Sequence, residues 1–307
     1  MANKKFLNIL KLLAKTGFTI LLVYLVFQKI DMATVAKTIG QSQPLWLILA
    51  FFLYGLSQVV SSWRLYGLLK VMGLPLSFLF NLRLYMLGMF YNVFLPGGIG
   101  GDGYKLYLLR KKFGAPTRTL LMGILLDRAS GLWAITMLAA LSVLFLPVLN
   151  IPAFWPVLYL FAAIIAFYFC WRWLFKKHLR YFPYSTLRAI LVQSIQCVAM
   201  ICILKSVHLS GDYLPYIFSF LLSTIATVIP VSVGGLGLRE YVMIQLSPLL
   251  FLDQALAVSA SFCFYIISTV AALPGIWFVY RSKDFTSRTE LEEAGSAVER
   301  VGKASHV

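Results

Sequence analysis

Pro96-Gly97-Gly98-Ile99-Gly100-Gly101-Asp102-Gly103-Tyr104-Lys105 reads P-x-x-x-G-G-x-G-x-K, and Pro230-Val231-Ser232-Val233-Gly234-Gly235-Leu236-Gly237-Leu238-Arg239 repeats it with arginine in place of lysine. Each copy closes an apolar stretch, 84–95 and 214–230. Each is followed by a helix-compatible one, 104–112 and 239–250. Proline and glycine interrupt helices, and in lipid an interruption leaves N–H and C=O groups that only protein or a water-filled cavity can satisfy. Matching interruptions in two halves of an apolar chain are the pattern by which membrane carriers build a substrate site.

The rest of the chain fits a membrane. Of 307 residues, 60% are hydrophobic and 12% charged, against ~25% charged in soluble domains, and the mean hydropathy is +0.84. Six segments read as full spans: 12–27, 45–63, 119–146, 153–174, 185–205 and 254–280. The stretch before the first glycine motif would give only about 18 Å of helix, too short for a ~30 Å hydrocarbon core. The expected fold is therefore all-α and polytopic, with about six full spans plus two re-entrant helix hairpins.

The net charge of +16 does not point to nucleic acid, because the basic residues sit in short loops between apolar spans. With a cytoplasmic N-terminus and re-entrant hairpins, Lys4, Lys5, Lys11, Lys15, Arg64, Lys70, Lys105, Arg110, Lys111, Lys112, Arg118, Arg172, Lys176, Lys177, Arg180, Arg188 and Arg281 fall inside. Only Lys29, Lys37 and Lys205 fall outside, with Asp31, Asp212 and Asp253. Three spans then separate the hairpins, so the two enter from opposite faces as an inverted repeat. The first repeat covers about 76–206 and the second about 210–281, within a membrane domain of 1–281. Residues 282–307 form a polar cytoplasmic tail, so both termini are expected in the cytoplasm. The basic run before 12–27 lacks a cleavage pattern, and an uncleaved first span is expected.

Cys170, Cys197, Cys202 and Cys263 lie in apolar segments without a C-x-x-C pair, and His178, His208 and His306 are scattered, so no metal or other cofactor is expected. Gly98 to Gly103 also fits G-x-G-x-x-G, but the dinucleotide fingerprint needs a strand before it, and here apolar helices flank it.

Charges inside a bilayer are costly, by ~2.5–3.5 kcal/mol each on insertion scales, and are paired or functional. Asp127-Arg128 falls near the middle of its span, on neighbouring helix positions about 100° apart, so each needs a partner elsewhere. The candidates are Asp102 and Lys105 in the first hairpin and Arg239 and Glu240 in the second. The expected network joins Arg128 to Glu240 or Asp102, and Asp127 to Arg239. Either these charges lock the hairpins to the span, or the bases contact an anionic headgroup while the acids hold them. Arginine suits the second role through its bidentate fork. Gly100, Gly101, Gly103, Gly234, Gly235 and Gly237 would let helix N-terminal amides approach a phosphate, with Pro96 and Pro230 as structural breaks. The basic clusters Arg110-Lys111-Lys112 with Arg118, and Arg172, Lys176, Lys177 and Arg180, either set topology and attract anionic lipid generally or form a loading zone. Trp46, Trp63, Trp155, Trp171 and Trp173 read as interfacial anchors.

Asn92 through Gly103, Asp127-Arg128 with Gly131, and Ile229-Pro230 through Gly234-Gly235-Leu236-Gly237-Leu238-Arg239-Glu240 together resemble the flippase-like membrane domain of the lysylphosphatidylglycerol synthase (multiple peptide resistance factor) family, over about 12–280. The resemblance implies a bacterial inner-membrane protein that moves a lipid between leaflets. Aminoacylated phosphatidylglycerol is the lipid in fused members, and a polyprenyl-linked lipid is the expectation for relatives joined to glycosyltransferases. The fused members carry a soluble transferase domain that residues 282–307 are too few to replace, so an enzyme name is not expected to carry over. The expected function is a flippase or translocase for an anionic phospholipid or polyprenyl-phosphate-linked lipid. A membrane-embedded lipid transferase and a non-catalytic scaffold for a lipid-modifying enzyme stay open as alternatives, as does a homo-oligomer.

Overall fold

The computed structural model describes residues 32–94, 100–229 and 235–280, and every regular element among them is helical. In chain order these are α1 (Met32–Gly40), α2 (Pro44–Val71), α3 (Phe78–Phe94), α4 (Gly100–Phe113), α5 (Thr117–Val143), α6 (Phe154–Phe175), α7 (Phe182–Ser206), α8 (Leu214–Ala226), α9 (Leu238–Leu250), α10 (Gln254–Ala272) and α11 (Gly275–Tyr280). Short 3-10 turns lie at Pro147–Leu149 and Lys176–Tyr181. Among the described residues five segments are long and apolar enough to cross a membrane: Pro44–Val71, Thr117–Val143, Phe154–Phe175, His178–Ser206 and Gln254–Tyr280. They correspond to five of the six expected spans. The sixth, 12–27, lies outside the described residues, as do Pro96, Gly97, Gly98, Pro230, Gly234 and the tail.

Each glycine motif runs into the second of two shorter helices packed on each other, α3 with α4 and α8 with α9, and α4 already starts at Gly100, not after Gly103 as expected. At 13 to 17 residues these helices run about 20–25 Å, less than the ~30 Å core. The first begins earlier than the apolar pattern indicates, at Phe78 rather than 84. Ser77 caps it by accepting the Phe80 amide at 3.2 Å, and the polar Asn81 is satisfied inside the fold, its Nδ2 donating to the Ser62 carbonyl at 2.7 Å and hydroxyl at 2.9 Å. Helix α2 likewise runs past its expected end at 63, taking Arg64 into the protein.

Helices α2 and α7 make the most extensive pairing in the fold. Small and polar buried residues line both, Ser57, Ser61 and Ser62 on one and Ser185, Ala189 and Ala199 on the other. Small residues let membrane helices approach closely, and Gln196 on α7 donates to the Ser57 hydroxyl at 3.3 Å. One apolar core joins α5, α7, α8, α9 and α10 around the second hairpin, and another joins α2, α3 and α4 around the first.

The last span touches both hairpins. Helix α10 packs on α9 and on α3, and α11 continues along α3. Between them Pro274 interrupts the helix, and Gly275 sits so close to α3 that a Cβ would lie 2.4 Å from the Met86 carbonyl oxygen and 2.6 Å from Phe90 Cβ.

Candidate functional site

The first charged cluster is built where α4 starts. Asp102 lies in the first turn of that helix, where a carboxylate is favoured by the exposed amides. Lys105 falls one turn later on the same face, and its Nζ donates to Asp102 Oδ1 at 3.1 Å. The other Asp102 oxygen accepts from Arg128 Nε of α5. Both Asp102 and Lys105 are buried, and the ammonium also lies 4.4 Å from the centre of the Tyr85 ring of α3, a cation–π geometry.

Glycines make this possible by absence of bulk. A Cβ on Gly88 would stand 2.1 Å from Lys105 Cε, so the lysine stem occupies the slot that a side chain would fill. A Cβ on Gly101 would stand 2.0 Å from the Gly88 carbonyl oxygen. The Gly101 amide donates to Asn92 Oδ1 at 2.9 Å, tying the two arms of the hairpin. Gly103, by contrast, faces open space.

Arg128 is the outlier of this cluster. Its side chain is 39% exposed although it stands eleven residues into an apolar span, roughly 16 Å along the helix. Lys105 and Arg128 together bring two positive charges to the single carboxylate of Asp102.

Its neighbour Asp127 points elsewhere. Asp127 Oδ1 accepts from Arg64 Nε of α2 at 2.7 Å, with both side chains buried. The expected pairing of Asp127 with Arg239 is therefore corrected: Arg64, read from the sequence as a loop cation, is the partner. Gly131 lies beside it: a Cβ there would be in ordinary van der Waals contact with both Arg64 terminal nitrogens, at 3.7 Å. The Arg64 carbonyl accepts from the Tyr181 hydroxyl at 3.0 Å, and that hydroxyl accepts from Arg188 Nη1 at 2.7 Å.

The second cluster lies where α9 starts. Gly235 and Gly237 have φ of +81° and +79°, left-handed backbone that glycine adopts without a Cβ clash. Glu240, buried, closes the turn: its Oε2 accepts from the Gly237 amide at 2.8 Å and its Oε1 from the Ser261 hydroxyl of α10 at 2.7 Å. The expected alternative of Arg128 with Glu240 thus gives way to Arg128 with Asp102. The Gly101 and Gly237 amides are each engaged by a side chain of the protein.

Arg239 stands apart. Its Nε is buried without a hydrogen-bond partner, and no carboxylate pairs with it among the described residues. Its guanidinium lies over the rings of Phe264 at 4.8 Å and Phe220 at 5.4 Å. Tyr54 of α2 joins this second cluster, its ring meeting Phe264 edge-on at 5.5 Å, and its hydroxyl is an electrostatic neighbour of Tyr85 and Arg239.

Sequence reasoning did not find Arg64, Tyr54, Tyr85, Phe220 or Phe264 as parts of this region. For Arg64 the signal was the helical, still largely apolar continuation from Leu65 to Val71. The aromatics had no signal among so many others in a lipid-facing chain. Among the described residues no three His, Cys, Asp or Glu side chains gather as metal ligands.

Long apolar helices around buried, paired charges define a multi-pass helical membrane protein. The family described as lysylphosphatidylglycerol synthase TM region matches residues 12–184 and 173–275, and the chain belongs to it. No curated protein matches the chain significantly.

Proposed function

We propose that this protein is a lipid flippase or translocase of a bacterial inner membrane. Its two hairpins are re-entrant, form an inverted repeat and hold an anionic phosphate-bearing headgroup between them. The observation that carries this reading is the uneven charge balance. Arg64 and Asp127 neutralise each other in a buried pair, and Glu240 is spent on capping α9 and holding Ser261. Lys105 and Arg128 both donate to Asp102, and Arg239 lies over aromatic rings with Glu240 as a charged neighbour, so four bases stand beside three acids among the described residues. Cations left in excess at this depth are costly without an anion. A phosphate supplies one, and arginine binds it through two hydrogen bonds. Arg128, half open, is the first group a headgroup meets; Lys105 and Arg239 lie deeper.

The family match supports a role in lipid handling, and the headgroup belongs to a phospholipid or to a polyprenyl phosphate. Both termini and the basic clusters then face the cytoplasm. The buried Arg64–Asp127 pair favours a scaffolding contribution by those two residues, which act as a lock beside the site.

The test is a leaflet-resolved assay in proteoliposomes containing fluorescent phosphatidylglycerol and, separately, a fluorescent polyprenyl phosphate. R128Q, K105Q and R239Q are each expected to lose translocation while inserting normally. Translocation at the unsubstituted rate in all three overturns the proposal.

A further inference from the structure

The last two turns of α6 carry two stripes of opposite character. Phe167, Trp171 and Phe175 recur every four residues and turn inward. Trp171 is fully buried, and its ring meets Phe167, Phe175 and Phe182 at 6.1, 6.3 and 5.5 Å. On the outer side Phe169, Arg172 and Trp173 follow the i, i+3, i+4 spacing of a single helix face, and with Lys176, the first residue of the 3-10 turn that follows, they line a cleft of about 340 Å³. The inward stripe fixes the orientation of the outward one, so the two cations are presented on a rigid surface.

The position of this cleft is set by the helix that carries it. Helix α6 has 22 residues, about 33 Å, enough to cross the hydrocarbon core. It begins with Trp155, 60% exposed, and ends with Trp173, 84% exposed, the arrangement of aromatic belts at two membrane surfaces. Arg172 and Lys176 therefore stand at headgroup level. Neither forms an ion pair among the described residues. The helix dipole favours cations at this end, which accounts for basic residues there but not for two aromatic side chains framing them around one cavity. The volume falls at the lower end of small-molecule sites (~300–1,000 Å³). It suits one headgroup, with the acyl chains continuing along the exposed apolar face of α6, where Phe161 and Ile165 lie.

We infer that Phe169, Arg172, Trp173 and Lys176 form a discrete binding site for the phosphate of an anionic phospholipid at the membrane surface, separate from the buried clusters. The site does not depend on the translocation proposed above. Arg172 at the end of α6 and Lys176 at the start of the following 3-10 turn hold the phosphate, and Phe169 and Trp173 flank the glycerol.

The full chain is reconstituted into phosphatidylcholine vesicles containing a small share of brominated phosphatidylglycerol or, in parallel, brominated phosphatidylcholine. The Trp173 component is taken as the fluorescence difference between the unsubstituted protein and W173F. Brominated phosphatidylglycerol is expected to quench this component at far lower mole fraction than brominated phosphatidylcholine. At about fivefold per surface cation the two together give a preference of roughly 30-fold. R172Q/K176Q, at exposed positions, is expected to abolish the preference, and R172K to retain most of it. Equal quenching by the two lipids, or a preference that survives R172Q/K176Q, overturns the site. Competition by soluble glycerophosphoglycerol as strong as by the lipid reassigns it to a free phosphoester and overturns the lipid. Disulfide-linked dimers formed through W173C in vesicles show the face covered by a second copy, which also overturns it.

Discussion

Arg64 Nε donates to Asp127 Oδ1 across 2.7 Å, joining α2 to α5 through a buried ion pair. Removing one partner of such a pair leaves a lone buried charge and costs about 3–5 kcal/mol, whereas replacing both by apolar residues is often neutral or stabilising. D127N is expected to lower the thermal midpoint in detergent strongly, and R64M/D127L to recover most of the loss. Equal destabilisation by the single and double variants would show that the pair is not the source.

Arg128 and Lys105 both donate to Asp102, so either can hold that carboxylate when the other is gone. R128Q is expected to leave the melting behaviour nearly unchanged, because its side chain is already partly open. Headgroup affinity should fall by about tenfold or more, from the ~1.5–3 kcal/mol of a hydrogen bond to a charged group. Titration of a fluorescent anionic lipid into the detergent-solubilised protein measures both sides of this expectation.

Arg239 forms no ion pair among the described residues, and the nearby Glu240 keeps its own two hydrogen bonds when the guanidinium is removed. R239M, which keeps the stem against Phe220 and Phe264, is expected to hold or raise stability while abolishing translocation. A large fall in stability would mean that the guanidinium is a structural strut.

The glycines of the first motif should not be equivalent. G101A drives a methyl into the Gly88 carbonyl, and overpacking of this kind costs about 1–3 kcal/mol or more. G103A meets open space within a helix and should gain up to about 1 kcal/mol. Thermal melts of the two variants side by side decide the matter, and similar midpoints would refute the steric account.

Glu240 has two hydrogen bonds to lose. E240A is expected to cost about 1 kcal/mol for the lost cap and a further ~1 kcal/mol for the Ser261 bond. S261A should cost only the second part. A double-variant cycle between Glu240 and Ser261 reads the coupling directly.

The spans were legible in the sequence because uninterrupted apolar windows of this length have few other uses, and the hairpins because glycine and proline punctuate both alike. Helix ends were misjudged where a polar residue finds its partner inside the fold: Asn81 reaches Ser62, so α3 starts at Phe78, and Arg64 reaches Asp127, so α2 continues to Val71. That Asp127 and Arg128 are held apart was visible in their adjacency. Which bases they meet was not, since Arg64 is 63 positions from Asp127 and nothing local records helix neighbours. Arg128 with Asp102 was one of two pairings the sequence left open, whereas Asp102 with Lys105 was hidden because the helix starts at Gly100 and not after Gly103.

The kink at Pro274 and the bare Cα of Gly275 against Met86 give the last membrane crossing a mechanical meaning. One rod bears on both helix pairs that carry the glycine motifs, its main part on α9 and α3 and its short end along α3. Displacing either helix pair therefore loads the other through a common lever, and a methyl group added at residue 275 would wedge that lever away from Met86 and Phe90 of α3.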